Sequence, residues 1–104
     1  MLKNTIVLLF ILLIIGCNKA NPPTPACIEE KFFNDPNIKQ IWEYRWNGHT
    51  VYLVNPDCCD QYILVYSLDC EPICAPSGGL SGSGDGKCPN FYSEAEVVEQ
   101  VYPG

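Results

Sequence analysis

The chain has 104 residues, with 12 acidic and six basic side chains and a formal charge of −6. A chain of this length forms one domain at most. Six cations spread over 104 residues supply no basic stripe that could follow a phosphate backbone, so the composition excludes a nucleic-acid-binding surface. Seven cysteines in so short a chain instead indicate covalent cross-linking or metal ligation.

Residues 1–16 have the pattern of a secretion signal peptide. Lys3 gives a short positive start, and residues 6–15 form an unbroken apolar run of ten residues. A membrane-spanning helix needs roughly 20 apolar residues, so a run of this length is typical of a cleaved signal. The run ends in Ile14-Ile15-Gly16-Cys17, which matches the bacterial lipobox.

The lipobox predicts a lipid attachment at Cys17. The thiol takes a diacylglycerol, the chain is cut before the cysteine, and the new amine receives an acyl group such as palmitate. Each buried CH₂ contributes about 0.8 kcal/mol, so two or three chains hold a protein on the bilayer effectively permanently. Residues 17–26 are then the lipidated cysteine and a Pro-rich tether that prefers extended polyproline II. We expect a lipoprotein of the bacterial cell envelope, anchored to the outer membrane. Whether the domain faces the periplasm or the cell exterior stays open.

Six cysteines remain in the domain at residues 27–104, and their even number predicts three disulfides. Export places them in an oxidising compartment, and a small domain has too little core to be stable without covalent cross-links. These cysteines are Cys27, Cys58, Cys59, Cys70, Cys74 and Cys88. Six cysteines allow 15 pairings. Bonding the adjacent Cys58 and Cys59 would close a strained ring, so we set those pairings aside and leave the others open.

Zinc ligation is the alternative use of these thiols. Cys70 and Cys74 have a spacing seen in metal sites, and Cys88 with one of the adjacent cysteines would complete four ligands. An oxidising compartment favours disulfides over thiolates. We therefore expect no metal and no cofactor.

Two regular elements stand out in the first half of the domain. Thr24-Pro25 resembles an N-cap followed by proline at the first helical position, which predicts a short helix over residues 25–34. The alternating residues 41–46 and 49–54 flank Asn47-Gly48, the dipeptide typical of a two-residue type I′ hairpin. In that register the numbers of paired residues sum to 95.

One face of the hairpin carries Trp42, Tyr44 and Trp46 with Val51 and Leu53, and the other face is more polar. Such alternation predicts that the aromatic face is the core side of a sheet. If the three rings of the first strand were exposed, they could instead stack on sugars or another small ligand, so a glycan-binding face at Trp42, Tyr44 and Trp46 is the alternative.

The second half of the domain contains less regular structure. Residues 61–68 alternate in the manner of a third strand. Residues 69–89 are so rich in Pro, Gly and Ser that they predict a long loop, which three cysteines would pin. Residues 93–96 fit a capping box, and residues 97–102 suit either a helix or a strand, an alternative that stays open.

Tests for catalytic motifs are negative. The glycine-rich segment 77–87 fails the P-loop spacing, because Ser81 stands where the first glycine belongs and Cys88 stands where the hydroxyl belongs. The single histidine, His49, lies beside a turn and is expected to be solvated. We expect no catalytic residue and no enzymatic activity.

Several pieces of the domain resemble a known family. These are Cys27-Ile28, the hairpin at residues 44–54, Cys58-Cys59-Asp60-Gln61, Tyr66 and the segment from Cys74 to Phe91. Together they are similar to an uncharacterised family of small cysteine-rich lipoproteins from the Bacteroidetes group of Gram-negative bacteria. The resemblance implies a lipid anchor and an envelope location, and it brings no catalytic role.

The sequence therefore predicts a small α+β domain stapled by disulfides. We expect a short N-terminal helix, an antiparallel sheet of about three strands built on the hairpin at residues 41–54, and a long Gly/Pro-rich loop. The expected function is that of a binding or structural module without enzymatic activity. One form is an inhibitor-like module that presents the loop at residues 70–88 to a protein partner, because a preorganised loop binds at low entropic cost.

Overall fold

The computed structural model describes residues 23–104. The predicted signal peptide, Cys17 and the first part of the tether lie outside the described residues. The elements, in chain order, are α1 (Ala26–Phe32), β1 (Ile38–Trp46), β2 (His49–Pro56), β3 (Tyr62–Tyr66), β4 (Pro72–Gly78), α2 (Phe91–Glu94) and β5 (Glu96–Tyr102). In these described residues, no helix is long and apolar enough to cross a membrane.

Helix α1 lies inside the predicted range and buries the predicted face. Ile28 and Phe32, one helical turn apart, are both buried. The start of the helix differs by one residue from the prediction, because Pro25 itself is the N-cap and no side chain caps the helix. Proline suits this place, since the residue lacks an N–H that would need a partner.

The β1–β2 hairpin has the predicted register. Trp46 pairs with His49, Tyr44 with Val51, and Trp42 with Leu53. Asn47 and Gly48 both have positive φ, as the type I′ turn requires. A turn dipeptide and strict alternation were therefore sufficient to predict this part of the fold.

The sheet has five strands, so the prediction of about three strands was wrong in number. All neighbouring strands are antiparallel, in the order β4-β3-β2-β1-β5. Strand β4 lies within residues 69–89, which were expected to be loop. Its prolines are compatible with a strand because β4 is at the edge of the sheet, where N–H groups on one side need no ladder partner. Strand β5 settles the open choice for residues 97–102 in favour of a strand.

Both faces of the sheet are buried, whereas the sequence predicted one core side. The helix-face cluster packs beneath α1 and consists of Ile28, Phe32, Ile41, Tyr52, Val54 and Tyr66. The loop-face cluster lies on the opposite side and consists of Val51, Leu53, Val65, Cys74, Cys88 and Phe91. The prediction identified Val51 and Leu53 of the loop-face cluster, with the three aromatic residues packed against it. Of the helix-face cluster it identified Ile28 and Phe32 but not Ile41 and Tyr52, which share their side of the hairpin with Glu43 and Arg45.

Candidate functional site

Two long-range disulfides hold the two faces of the sheet. Cys27 at the start of α1 bonds to Cys70 in the turn between β3 and β4, with a Cα–Cα distance of 6.1 Å. Cys74 in β4 bonds to Cys88, with a Cα–Cα distance of 6.0 Å. Both distances lie in the usual range for disulfides. The first bond fastens the helix to the sheet, and the second closes the glycine-rich segment onto β4.

The third pair corrects a sequence-based expectation. Cys58 and Cys59 are bonded to each other, the combination that was set aside. That exclusion rested on the strain of a ring closed by adjacent cysteines, and the two residues were expected to hold different parts of the fold, because neighbouring side chains of an extended chain point to opposite sides. The structure instead places both residues in the bend between β2 and β3, where they are exposed.

The two cysteines of the zinc alternative have different partners. Cys70 bonds to Cys27, whereas Cys74 bonds to Cys88. Thiols in disulfides supply no thiolate ligands. In the described part of the chain, no group of three or more His, Cys, Asp or Glu side chains is placed to hold a metal ion.

The glycine loop, residues 79–87, is fixed along the outer side of β4 by backbone hydrogen bonds. Asp85 donates its N–H to the carbonyl of Ala75 at 3.0 Å, and Gly84 donates to Gly78 at 3.0 Å. At the start of the loop, Gly79 donates to the carbonyl of Gln61 at 3.0 Å. The segment is therefore a structured covering of the sheet edge.

Two glycines make this close approach possible. Gly84 has φ of +79°, and a Cβ there would collide with the backbone of Ala75 and Pro76. Gly78 has φ of +84°, and a Cβ there would collide with the backbone of Gln61 and Ile63. Both positions combine a left-handed backbone with direct backbone contact, which only glycine tolerates.

Side chains reinforce the loop at both ends. The Asp85 carboxylate accepts a hydrogen bond from the N–H of Lys87 at 3.0 Å, and this bond lowers the pKa of Asp85 below its ordinary value. The hydroxyls of Ser77 and Tyr92 are 2.7 Å apart and share a hydrogen bond. The contact between Ser77 and Tyr92 joins the end of β4 to the segment that follows Cys88.

Leu80 is at the tip of this fixed loop and is 92 % exposed. Beside it lies a shallow groove of about 410 Å³, lined by Asp60, Tyr62, Gly79, Leu80 and Ser81. An isolated exposed leucine on a surface needs no explanation. An exposed leucine at the tip of a loop that is cross-linked and hydrogen-bonded is different, because the rigid backbone holds the side chain out in a defined position.

The aromatic stripe of the hairpin lies in the loop-face cluster. Tyr44 and Trp46 each pack against the buried Phe91, with ring centroids 5.1 Å apart in both pairs. The indole N–H of Trp42 donates to Gln40, and that of Trp46 donates to Glu94. The three rings are half-buried, and this packing does not favour the glycan-binding alternative.

A second groove lies at the turn of the hairpin. It has a volume of about 400 Å³ and runs between the hairpin tip and the turn that joins β3 to β4. Its lining includes Trp46, His49, Leu68, Asp69 and Ile73. His49 is exposed, as predicted.

Leu80 is the residue that the sequence analysis missed. It is the one large apolar side chain in a segment of Gly, Ser, Asp and Lys, and that contrast was visible in the sequence. The contrast alone carries no function; Leu80 differs from other exposed leucines because its loop is closed by a disulfide and hydrogen-bonded to β4.

The comparisons with known proteins give one family. A family model described as a domain of unknown function (DUF6970) matches residues 27–103, which include all six cysteines of the domain. No curated protein and no solved structure gives a significant match.

Proposed function

The chain belongs to the DUF6970 family of domains of unknown function, and we propose that it is a non-enzymatic, lipid-anchored binding module of the bacterial envelope. The glycine loop is its binding element. Leu80 enters an apolar cleft on a partner protein, in the manner of an inhibitor loop, and the acyl groups on Cys17 hold the domain on the membrane.

The single observation that carries the proposal is the exposure of Leu80 on a loop that is already fixed. Binding normally costs the entropy of ordering a mobile segment, and a loop fixed in advance avoids most of that cost. The Cys74–Cys88 bond and the backbone contacts with β4 supply this preorganisation. Interface energy is concentrated in a few residues that fill pockets on the partner.

Photo-crosslinking tests the proposal on the full-length chain in the bacterium that produces it. A photoreactive amino acid replaces Leu80 in one strain and Glu30, which is exposed on α1, in a control strain. We expect one discrete cross-linked protein from position 80 and not from position 30. Equal products from both positions would contradict the proposal.

The captured protein then allows a direct measurement. Leu80→Asp should weaken its binding to the purified chain by at least about tenfold, whereas Leu80→Met should retain it. Because Leu80 is almost fully exposed, neither change should alter the fold, which tryptophan emission checks. Unchanged binding by Leu80→Asp would exclude the loop as the contact.

The anchor has its own test. Cys17→Ser should move the chain from the membrane fraction to the soluble fraction, and the purified variant should lack the mass of the acyl groups. A variant that remains in the membrane fraction would contradict lipid attachment at this residue.

A further inference from the structure

The two edges of the sheet differ in how their backbone groups are used. The outer edge of β4 is covered by the glycine loop, with hydrogen bonds to Ala75 and Gly78. The opposite edge strand, β5, pairs with β1 on one side. Within residues 23–104, no other segment bonds to its backbone from the outer side. An open edge presents unpaired N–H and C=O groups to any extended chain that can align with them.

The side chains of β5 are also exposed to solvent. Val97 is 59 % exposed, and five of the seven residues of β5 are exposed. Native proteins commonly protect an open edge with lysine, proline or a bulge. The pairing of β5 with β1 contains two register shifts, but β5 itself contains neither lysine nor proline. Residues 91–104 contain three glutamates and neither lysine nor arginine, so this edge has only negative charge. Charge of a single sign repels a second copy of the same edge and attracts a basic strand.

A row of side chains leads from the interior of the sheet to this edge. Tyr52 pairs with Glu43, and Glu43 pairs with Glu99, so the three lie side by side across β2, β1 and β5. Glu43 is only 8 % exposed, and Tyr52 is 2 % exposed. Carboxylates directly opposite one another in a sheet are destabilising.

The cation near this row, Arg45, does not neutralise the negative charge of its glutamates. Arg45 is two residues along β1 from Glu43 and pairs across the strands with Glu96, but its guanidinium donates a hydrogen bond to the carbonyl of Gly48 at 3.4 Å. Burial and the neighbouring Glu99 both raise the pKa of Glu43, which Arg45 lowers only in part. The next position in the row, beyond Glu99, would lie on a strand added to β5.

We propose that the outer edge of β5 binds an extended basic segment of a partner protein as a sixth strand, with a lysine or arginine opposite Glu99. Main-chain hydrogen bonds to β5 provide the affinity, and the cation completes the row of Tyr52, Glu43 and Glu99. This surface is on the opposite edge of the sheet from the glycine loop, so it is a second binding site and does not depend on the first.

Synthetic peptides of the length of β5 test the proposal against the full-length chain in detergent. One peptide alternates lysine with valine, a second replaces lysine with glutamate, and a third carries the lysine sequence with N-methyl groups that block strand pairing. We expect the first peptide to bind and to protect the amide protons of β5 from exchange. The second and third should not bind.

Variants of the chain locate the contact. Glu99→Gln should weaken the lysine peptide by about threefold to fivefold, and Glu99→Lys should abolish binding. Glu71→Gln is the matched control, because Glu71 is exposed beside the opposite edge strand. Leu80→Asp should also leave binding unchanged, which separates this site from the glycine loop.

Three results would overturn the proposal. Equal binding of the N-methylated peptide would mean that charge alone attracts the peptide. Protection of β4 amides would place the peptide at the other edge. A dimer of the chain that dissociates on peptide addition would identify a second copy as the natural occupant of β5.

Discussion

The two faces of the sheet are covered by different means. On the helix face, α1 buries Ile28 and Phe32, which are spaced one helical turn apart. On the loop face, the covering is a four-residue helix and a segment closed by a cross-link between residues 14 apart. A regular helix needs only periodic apolar residues to cover a sheet. An irregular cover needs covalent closure and glycines, and in return it can hold an exposed side chain such as Leu80 in a fixed position.

The largest expected effect on the free energy of unfolding comes from removing the disulfide on the helix face. Removing Cys27–Cys70 as the double variant Cys27→Ala/Cys70→Ala opens a loop between residues 43 apart, which should lower the free energy of unfolding by about 4 kcal/mol. Both tryptophans lie on the loop face, so the native emission maximum should not move. Urea unfolding followed by circular dichroism, with emission spectra before unfolding, measures both quantities.

Removing the other cross-link should have a smaller effect on stability and a larger one on the loop face. Cys74→Ala/Cys88→Ala opens a loop between residues 14 apart, worth about 3 kcal/mol, and should shift native tryptophan emission to the red. Cys58→Ser/Cys59→Ser is the control, since it opens no long loop and should cost less than about 1 kcal/mol. A red shift with Cys27→Ala/Cys70→Ala and none with Cys74→Ala/Cys88→Ala would reverse the assignment of the faces.

The glycine loop offers a matched pair of substitutions with smaller expected effects on the free energy of unfolding. Gly84→Ala should lower the free energy of unfolding by about 2 kcal/mol, because the left-handed backbone and the carbonyl of Ala75 both oppose a Cβ. Gly86→Ala has the same backbone strain without the collision and should cost about 1 kcal/mol. Urea midpoints of the two variants measure the difference, and equal midpoints would mean that residue 84 does not touch β4.

The smallest effects have opposite signs on the two faces. Glu43, on the helix face, has a native pKa raised above its ordinary 4.5 by burial first and by Glu99 second. The folded state therefore holds this proton more tightly than the unfolded chain. The associated stability is fully present below the unfolded pKa and is lost as pH rises through the native pKa. Glu43→Gln should stabilise the protein at neutral pH, with the gain vanishing below about pH 4, and Glu30→Gln is the exposed control.

Asp85, on the loop face, behaves in the opposite way. The hydrogen bond from the N–H of Lys87 lowers its pKa below 3.8, so the stability it contributes is present above that value and is lost as pH falls through the native pKa. Asp85→Asn should make the loop exchange its amide protons faster at neutral pH and should make no difference in strong acid. Faster exchange at every pH would attribute the effect to shape and not to charge.

The parts that could be predicted from sequence are those with local causes. The turn at Asn47-Gly48 fixed the hairpin register, and the spacing of Ile28 and Phe32 fixed the buried side of α1. Strand β4 was missed because proline normally opposes strands, and only its place at the sheet edge makes it tolerable. Edge position is a property of the whole fold, so no local pattern reveals it.

The same limit applies to the candidate site. The sequence identified the cysteines but left their pairing open, because pairing depends on which elements meet in space. The adjacent pair at Cys58 and Cys59 was excluded because it closes a strained ring, yet the two are bonded in the bend after β2. Leu80 could have been found from its contrast with the glycines and serines around it, although its exposure depends on how the loop lies along β4.

The Cys27–Cys70 bond also determines how the domain bears mechanical load. Tension arriving along residues 23–26 reaches Cys27 and passes through sulfur to Cys70, at the turn before β4. The intervening helix and the first three strands are bypassed and cannot be peeled away one after another. A pull on the chain before Cys27 therefore acts on the turn between β3 and β4, and the segment between the two cysteines carries little of the load.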